Sequence, residues 1–268
     1  MSKLLYTTNS FVSYNYPLEE ANVVFVGIPF SSTSISCSSQ FGPVIVRESM
    51  RLTEDYDKKT NKNLFKELKV CDIENLEVVP GSYHLTAERI KETIKEIQDE
   101  SRAFLIFVGG EHLITLPIAE ALKPKTVIQL DAHRDLRKDY LGKKFSHTTW
   151  AYHLLQSLNC NLVQIGIREL SKDEEELANK LDIKDEMKNL EEPIYLTIDI
   201  DVFDPCYVKT GLPVSNGLKP RDVFDIIDKL RGKKLIGMDI TEIADNCLPS
   251  NTGFLCAEIV KRVLGLMI

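Results

Sequence analysis

The sequence lacks three patterns that would assign it to large classes of protein. None of its six cysteines belongs to a CxxC pair, so neither a zinc knuckle nor a redox dithiol is indicated, and we interpret the cysteines as mostly reduced thiols. No run of about 20 apolar residues occurs, so no membrane span is predicted. The N-terminal segment contains no apolar core of a secretory signal, and we therefore expect a cytoplasmic protein.

Excess positive charge is also missing. The chain has 33 basic and 40 acidic residues, a net charge of −7, which disfavours nonspecific nucleic-acid binding and mildly favours cationic ligands. Ordinary solubility charge accounts for the same balance equally well. With 268 residues, 43% of them hydrophobic, the chain can bury a sizeable core. No linker or internal repeat divides it, and we predict a single domain over residues 1–268.

Short apolar runs alternate along the chain with polar loops and helices. Strands are predicted at residues 22–28, 68–73, 103–108, 126–130, 162–167, 194–198 and 234–238. Most are continuously apolar, which is typical of strands covered on both faces. Helices are predicted at residues 44–50, 86–99, 114–122, 148–158, 171–181, 221–230 and 252–266, with Thr86 as the cap of the second. This alternation predicts an α/β fold with a mainly parallel sheet and helices on both faces.

Polar side chains follow four of the predicted strands at the point where each strand ends. The segments concerned are residues 109–112, 131–135, 199–201 and 239–242. In an open α/β sheet, ligands bind outside the carboxyl ends of the strands, so these segments should meet at one site. We expect Gly109 and Gly110 to allow a tight turn that lets His112 face inward.

The carboxylates and imidazoles of these segments predict a metal site. Carboxylates on one rim repel each other and are costly to bury unless cations neutralise them, and no matching cluster of Lys or Arg is present there. Alternate residues of an extended segment point to the same side, so six ligands can converge: His112, Asp131, His133, Asp135, Asp199 and Asp201. Six ligands suit a pair of divalent ions, and oxygen with imidazole but no thiolate favours Mn²⁺ over Mg²⁺ or Zn²⁺.

Five motifs carry a resemblance to a known family. The sequences GGEH, DAHRD, SHTTW, DIDVFDP and DITE occur in the order and roughly the spacing of the ureohydrolase family, which includes arginase and agmatinase. The segments FGPVIVRESM and NTGFLCAEIVKRVL resemble its N-terminal part and its final helix, so the resemblance covers the chain from about residue 21 onward. It implies a three-layer α/β/α sandwich with about eight parallel strands, two Mn²⁺ ions per subunit, and a homo-trimer or homo-hexamer.

The resemblance also implies a role for each site residue. A hydroxide between the two metals would be the nucleophile. Glu242 matches the carboxylate that holds the guanidinium, and His147 matches the histidine that shuttles protons near the leaving amine. From the residues alone, a salt bridge for Glu242 and a place beside a helix cap for His147 stay open. The family pattern divides the metal ligands into His112 and Asp135 on one ion, His133 and Asp201 on the other, and Asp131 and Asp199 on both.

The loop at residues 136–145 bears on the substrate. Arginases bind the amino-acid end of arginine through an Asn- and Ser-rich loop here, whereas LRKDYLGKKF contains neither residue and resembles the agmatinase loop. We therefore predict that the chain hydrolyses agmatine, a small cationic guanidino compound, to putrescine and urea, a reaction of polyamine biosynthesis. The alternatives are arginine, guanidinobutyrate or formimidoylglutamate as substrate, a single-zinc deacetylase on the same fold, and a non-catalytic metal-binding protein. Neither nucleic acid nor a membrane is expected as a partner.

Three segments depart from the family pattern. Residues 36–39 read SCSS where the family has Arg-Pro-Gly, residues 208–213 form a loop one residue shorter, and Asp245 replaces the proline of Glu-x-x-Pro. None of these changes removes a metal ligand. The changes at 36–39 and 208–213 are placed to reshape the substrate pocket, which is why another ω-guanidino substrate is the main alternative.

Overall fold

Seven parallel strands form the centre of the molecule. The structure, a computed structural model, describes residues 11–12, 15–34 and 37–268, except the side chain of Cys37. The predicted strands are all present: β1 Val23–Ile28, β4 Val70–Asn75, β5 Phe104–Gly109, β6 Thr126–Leu130, β7 Asn161–Ile165, β8 Ile194–Asp199 and β9 Leu235–Thr241. A separate antiparallel hairpin consists of β2 Tyr56–Asp57 and β3 Lys62–Asn63. In the described residues the main sheet therefore has seven strands rather than about eight.

The predicted helices are also present, with ends within three residues of the expected ones. The helices are α1 Gly42–Leu52, α2 Leu64–Glu67, α3 Tyr83–Glu100, α4 Thr115–Leu122, α5 Trp150–Ser157, α6 Lys172–Lys180, α7 Pro220–Asp228 and α8 Asn251–Leu264. The four-residue α2 was not predicted. The predicted cap of α3 was wrong, because Ser82 accepts the Leu85 N–H. Thr86 instead lies inside the helix and donates its hydroxyl to the Ser82 carbonyl.

Both faces of the main sheet are covered by helices. Along β1, Val23 and Phe25 pack into one apolar cluster, and Val24 and Val26 pack into the other. Helices α1, α7 and α8 contribute to the first cluster, and α3, α4, α5 and α6 to the second. Burial on both sides explains why the strands are continuously apolar. The three-layer α/β/α architecture is thus confirmed.

The strand order brings the polar segments together. The sheet runs β4-β1-β5-β9-β8-β6-β7, and all its ladders are parallel. The chain passes from β5 to β6 across two positions that β8 and β9 fill later. The carboxyl ends of β5, β9, β8 and β6 are therefore neighbours, which is where the sequence places its carboxylates and imidazoles.

Across residues 11–12, 15–34 and 37–268, no helix has both the length and the apolar character needed to cross a membrane.

Candidate metal centre and substrate pocket

Two groups of potential ligand atoms lie at the carboxyl ends of the central strands. The first comprises His112, Asp131 and Asp199, and the second comprises Asp131, His133 and Asp201. Within each group, the ligand atoms lie within 4.8 Å of one another. Because Asp131 belongs to both groups, its carboxylate lies between the two histidines. This geometry fits two cations bridged by at least one carboxylate.

His112 faces three carboxylates. Its Nδ1 lies 3.0 Å from Asp131 Oδ2 and 3.4 Å from an oxygen of both Asp135 and Asp199. Neither three-residue group includes Asp135, but this distance places it beside the first one. Burial disfavours a charged imidazole, yet the three carboxylates outweigh burial and raise the pKa of His112 well above its usual value. The surroundings of His112 Nδ1 therefore favour a positive charge at this place.

His133 repeats this arrangement on the other side of Asp131. Its Nδ1 lies 2.9 Å from Asp201 Oδ2 and 3.6 Å from Asp131 Oδ1. Burial opposes protonation, but hydrogen bonds to the two carboxylates raise the pKa of His133 to about 12. With this second imidazole, the structure brings together all six of the predicted ligands.

A buried hydroxyl relay sets the orientation of His112. The Thr197 hydroxyl donates to Asp239 Oδ1 over 2.6 Å, and its oxygen lies 2.8 Å from His112 Nε2. Thr197 has a single proton, so its oxygen accepts from Nε2–H, which leaves Nδ1 as the nitrogen that faces the carboxylates and can bind a proton or a metal cation. Metal-binding histidines are commonly held in this way by a second hydrogen bond. The donor set, its burial and this tautomer therefore fit divalent cations.

Sequence analysis did not identify this relay. Thr197 lies on a buried strand, where a threonine is not distinguishable from an ordinary core residue. Asp239 was noted only as a carboxylate following a strand. It also accepts hydrogen bonds from Thr115 and the Tyr195 hydroxyl. Only the pairing of β8 with β9 brings Thr197 opposite Asp239.

Two site carboxylates have an unusual backbone. Asp135 has φ of 53° and Glu242 has φ of 59°, in the left-handed region that costs a non-glycine residue about 1–3 kcal/mol. Trp150 Nε1–H donates to Asp135 Oδ2 over 2.7 Å, which holds that side chain towards the site. Burial and then repulsion from Asp131 raise the pKa of Asp135 to about 6. Burial and then repulsion from Glu111 raise that of Glu242 to about 8. A cation bound beside either carboxylate would stabilise its ionised form.

A pocket opens above the ligand cluster. Its walls include Glu242 and His147, so both residues predicted to act on a substrate lie beside the metal ligands. Among its described lining residues there is neither a lysine nor an arginine, so a substrate carboxylate would find neither of these side chains as a partner. The lining residues are Ser34, His112, His133, Asp135, His147, Thr148, Asp199, Asp201, Thr210, Gly211, Leu212 and Glu242.

The loop after β1 forms another wall of the site. Glu111 is fully buried and accepts hydrogen bonds from residues 32–34 of this loop. Burial raises the pKa of Glu111, while these hydrogen bonds favour its ionised form. Thr33 contacts His147, and Ser34 Oγ donates to Glu242 Oε2 over 3.3 Å. These contacts were not predicted, although Glu111 lies within the GGEH motif.

The two glycines of that motif act differently from the prediction. Neither Gly109 nor Gly110 has a positive φ, so a tight left-handed turn is not their role. A Cβ on Gly110 would lie 2.0 Å from the carbonyl oxygen of Phe30, and one on Gly109 would lie 2.4 Å from Ile114 Cδ1. The prediction was therefore wrong about the mechanism. Glycine is needed at position 110 because the loop after β1 packs directly against its backbone, whereas at position 109 a Cβ would meet the side chain of Ile114.

Two of the departures from the family pattern contact each other. Lys209 Nζ lies 3.3 Å from Asp245 Oδ1, and Thr210 forms a β-bridge with Ile243. The shorter loop at 208–213 and the altered Glu-x-x-Pro segment are thus joined, and residues 210–212 line the pocket. In the third departure, Ser36 lies outside the described residues.

Comparison with known proteins agrees with this geometry. The model of the arginase family matches residues 21–265. N(1)-aminopropylagmatine ureohydrolase of Thermococcus kodakarensis is 34% identical, over 99% of this chain and 98% of its own. Agmatinase of Pyrococcus horikoshii is 32% identical, over 98% and 99% of the two chains. The crystal structure of agmatine ureohydrolase of Thermoplasma volcanium superposes with a TM-score of 0.86 and 26% identity, over 98% of this chain and 95% of that one.

These similarities extend over nearly the whole chain. The chain belongs to the arginase family. Within that family it is an agmatinase-like ureohydrolase, and the prediction of an enzyme is confirmed.

Proposed function

We propose that this protein hydrolyses agmatine to putrescine and urea, using two Mn²⁺ ions per subunit. The observation that carries the proposal is the sharing of Asp131 between two ligand groups at the base of a pocket. The pocket presents carboxylates and imidazoles but, in its described part, neither a lysine nor an arginine. It therefore suits a substrate with positive charge and no carboxylate.

The six converging side chains would hold the two ions. Bound divalent cations would neutralise the carboxylates and lower the pKa of water from about 15.7 towards about 7, which makes water nucleophilic at neutral pH. The oxygen-rich ligand set favours Mn²⁺. The proposed assignment is His112 and Asp135 for one ion, His133 and Asp201 for the other, and Asp131 and Asp199 for both.

Glu242 would bind the guanidinium group. One of its oxygens accepts the backbone N–H of His112 and the other accepts the Ser34 hydroxyl, so the carboxylate is held in place at the pocket wall. Burial and then repulsion from Glu111 raise its pKa to about 8, so a bound cation would favour its ionised form. A guanidinium would supply positive charge together with several N–H donors, in a charge-assisted contact. The orientation of this carboxylate would then orient the carbon that is attacked.

His147 would move the proton that the leaving amine requires. Burial, followed by the positive charges of His112 and His133, lowers the pKa of His147 to about 4. Its imidazole is therefore neutral near pH 7 and can accept a proton before passing it on. Tyr140, in the loop at 136–145, packs edge-on against this imidazole with ring centroids 5.8 Å apart. The loop that the sequence associates with agmatine thus contacts the proton carrier.

A longer amine is the second candidate substrate. The relative from Thermococcus kodakarensis is named for N(1)-aminopropylagmatine, which carries the same guanidino group on a longer cationic chain. The same contacts to Glu242 and His147 would serve both compounds. The two compounds differ beyond the guanidino end, and residues 210–212 at the pocket wall would be available to contact that part.

A urea-release screen in Mn²⁺ tests the proposal. The compounds are agmatine, N(1)-aminopropylagmatine, arginine, guanidinobutyrate and guanidinopropionate, with formamide release from formimidoylglutamate measured alongside. An unpaired carboxylate costs several kcal/mol to bury, so kcat/KM for agmatine should exceed that for arginine by roughly 10²–10⁴-fold. Comparable values would overturn the assignment of agmatine but not the family.

Metal content separates the remaining alternatives. We expect about two Mn²⁺ per chain, whereas a single zinc ion would favour chemistry of the deacetylase type. Absence of turnover on every compound would indicate a non-catalytic metal-binding protein. The homo-trimer or homo-hexamer implied by the family resemblance stays a prediction, which light scattering can test.

A further inference from the structure

We propose that Glu111 is a positioning residue which, through the Thr33 hydroxyl, holds His147 in its Nδ1–H tautomer and leaves Nε2 as the proton-accepting atom. The inference deepens the proposed function, because it rests on His147 acting as the proton carrier. It concerns a buried carboxylate that neither binds a metal nor touches the substrate. Its effect reaches the site only through the loop after β1.

The first step is the set of donors around Glu111. Its Oε2 accepts backbone N–H groups from Ser32, Thr33 and Ser34 over 2.7, 2.6 and 2.9 Å. Its Oε1 accepts the Thr33 hydroxyl over 2.6 Å. Four donors on two oxygens match an acceptor-only carboxylate. The loop lies within reach because β1 and β5 are neighbours in the sheet.

The second step concerns the Thr33 hydroxyl, which has one proton. That proton is directed to Glu111, so the oxygen can only accept from other groups. It accepts the backbone N–H of His147 over 3.0 Å and lies 3.4 Å from His147 Nδ1. An unprotonated Nδ1 would face this oxygen lone pair to lone pair. If Nδ1 is protonated, it instead donates a hydrogen bond to the Thr33 oxygen.

The neighbouring serine is compatible with this assignment. Ser146 Oγ lies 3.1 Å from His147 Nδ1, and a serine hydroxyl can either donate or accept. The contacts to Ser146 and Thr33 both engage Nδ1, so Nε2 is the nitrogen free to meet a substrate. Without Glu111, Thr33 could turn its proton to Nδ1 and move the ring proton to Nε2.

Two substitutions separate this relay from a general structural role. In Glu111→Gln, the amide oxygen must serve the three backbone N–H groups, so the NH₂ group faces Thr33. Thr33 then donates to His147, which should favour the Nε2–H tautomer. Thr33→Val removes the relay but keeps the side-chain shape, and Thr33→Ser keeps the relay.

The tautomer can be observed directly. Long-range ¹⁵N–¹H NMR of the Mg²⁺-loaded, ¹⁵N-histidine-labelled protein distinguishes the two forms, and His147→Ala identifies the resonance. We expect Nδ1–H in the wild type and in Thr33→Ser, and Nε2–H in Glu111→Gln. With agmatine and Mn²⁺, kcat should fall about 10–10³-fold in Glu111→Gln and Thr33→Val, while KM stays within about threefold. Metal content should not change.

A matched control is Asp72→Asn. Asp72 is another buried carboxylate with a backbone donor, the Glu74 N–H, but the Arg47 guanidinium that pairs with it lies outside the pocket. This variant should lose stability while its kcat and the His147 tautomer stay as in the wild type. Should Glu111→Gln fail to fold, Thr33→Val and Thr33→Ser decide the question.

Three outcomes would overturn the inference. The first is an Nε2–H tautomer of His147 in the wild type. The second is that the Glu111→Gln and Thr33→Val variants both keep the wild-type tautomer and the wild-type kcat. The third is a fall of kcat in Asp72→Asn that equals the fall in Glu111→Gln. The NMR measurement does not require turnover. A failure of the relay is therefore distinguishable from a failure of the proposed function, which would appear as no turnover in the wild type.

Discussion

The backbone N–H of His112 donates to Oε1 of Glu242 over 3.0 Å. This hydrogen bond joins a metal-ligand candidate after β5 to the guanidinium-binding candidate after β9. It arises because the two strands are neighbours and because Glu242 N–H also donates to the Gly110 carbonyl. A change at Glu242 should therefore affect substrate binding while the amide oxygen of a Gln side chain could still accept from His112.

Glu242→Gln should raise KM and lower kcat together. The variant loses a charge-assisted contact that serves the guanidinium in both the ground state and the transition state. Its amide oxygen still accepts the His112 N–H, so metal content should be unchanged. Steady-state kinetics and elemental analysis check both statements. A variant that lost metal would show that Glu242 has a different role.

Asp131→Asn should lose both ions, and Asp201→Asn should lose mainly one. Asp131 belongs to both ligand groups, whereas Asp201 belongs only to the group with His133. Activity should be abolished in Asp131→Asn. Metal content by mass spectrometry after dialysis measures the difference. Two ions retained in Asp131→Asn would remove the bridging assignment.

His147→Ala should lower kcat by the roughly 10²–10⁴-fold typical of a lost acid–base group, with KM and metal content nearly unchanged. The leaving amine is expelled poorly unless it is protonated. Imidazole added to the assay should restore part of the rate. An empty metal site in this variant would instead identify His147 as a ligand.

The stability of His147→Gln should depend less on pH than that of the wild type. Folding lowers the pKa of His147 from its usual 6.5 to about 4, so between these values the unfolded chain binds a proton that the folded chain does not. The wild type should therefore lose stability as the pH falls from 7 to 5, by about 1–2 kcal/mol more than the variant. Between pH 7 and 8 the two should change equally. Urea midpoints at each pH measure this, and equal losses down to pH 5 would contradict it.

Gly110→Ala should destabilise the protein by about 1–3 kcal/mol or more. The added Cβ would lie 2.0 Å from the Phe30 carbonyl oxygen, which belongs to backbone and cannot swing aside. Gly265→Ala is the control, because its new Cβ would meet only ordinary contacts at 3.4 Å or more. Thermal unfolding of the two variants should differ clearly. Similar melting temperatures would show that the loop after β1 yields easily.

The amino-acid sequence by itself determined the seven strands of the main sheet, the seven longer helices and the six ligand candidates. Continuous apolar runs identify strands buried on both faces, and the residues following parallel strands must meet at one sheet edge. His112, Asp131 and Asp199 could thus be brought together without knowledge of the strand order. The order and spacing of the five motifs then indicated the family, which the comparisons confirm, whereas the loop at 136–145 indicated agmatine as the substrate.

Only the tertiary structure decided which strands are neighbours and what each polar group contacts. The order β1-β5-β9-β8-β6 places Thr197 beside Asp239 and lets Thr33, in the loop after β1, meet both Glu111 and His147, which are 78 and 114 positions away from it along the chain. Hydrophobic pattern and backbone propensity act over a few residues along the chain. The partner of a buried hydroxyl or carboxylate is instead set by packing the whole sheet, since each such group must find a hydrogen bond wherever the strands bring it.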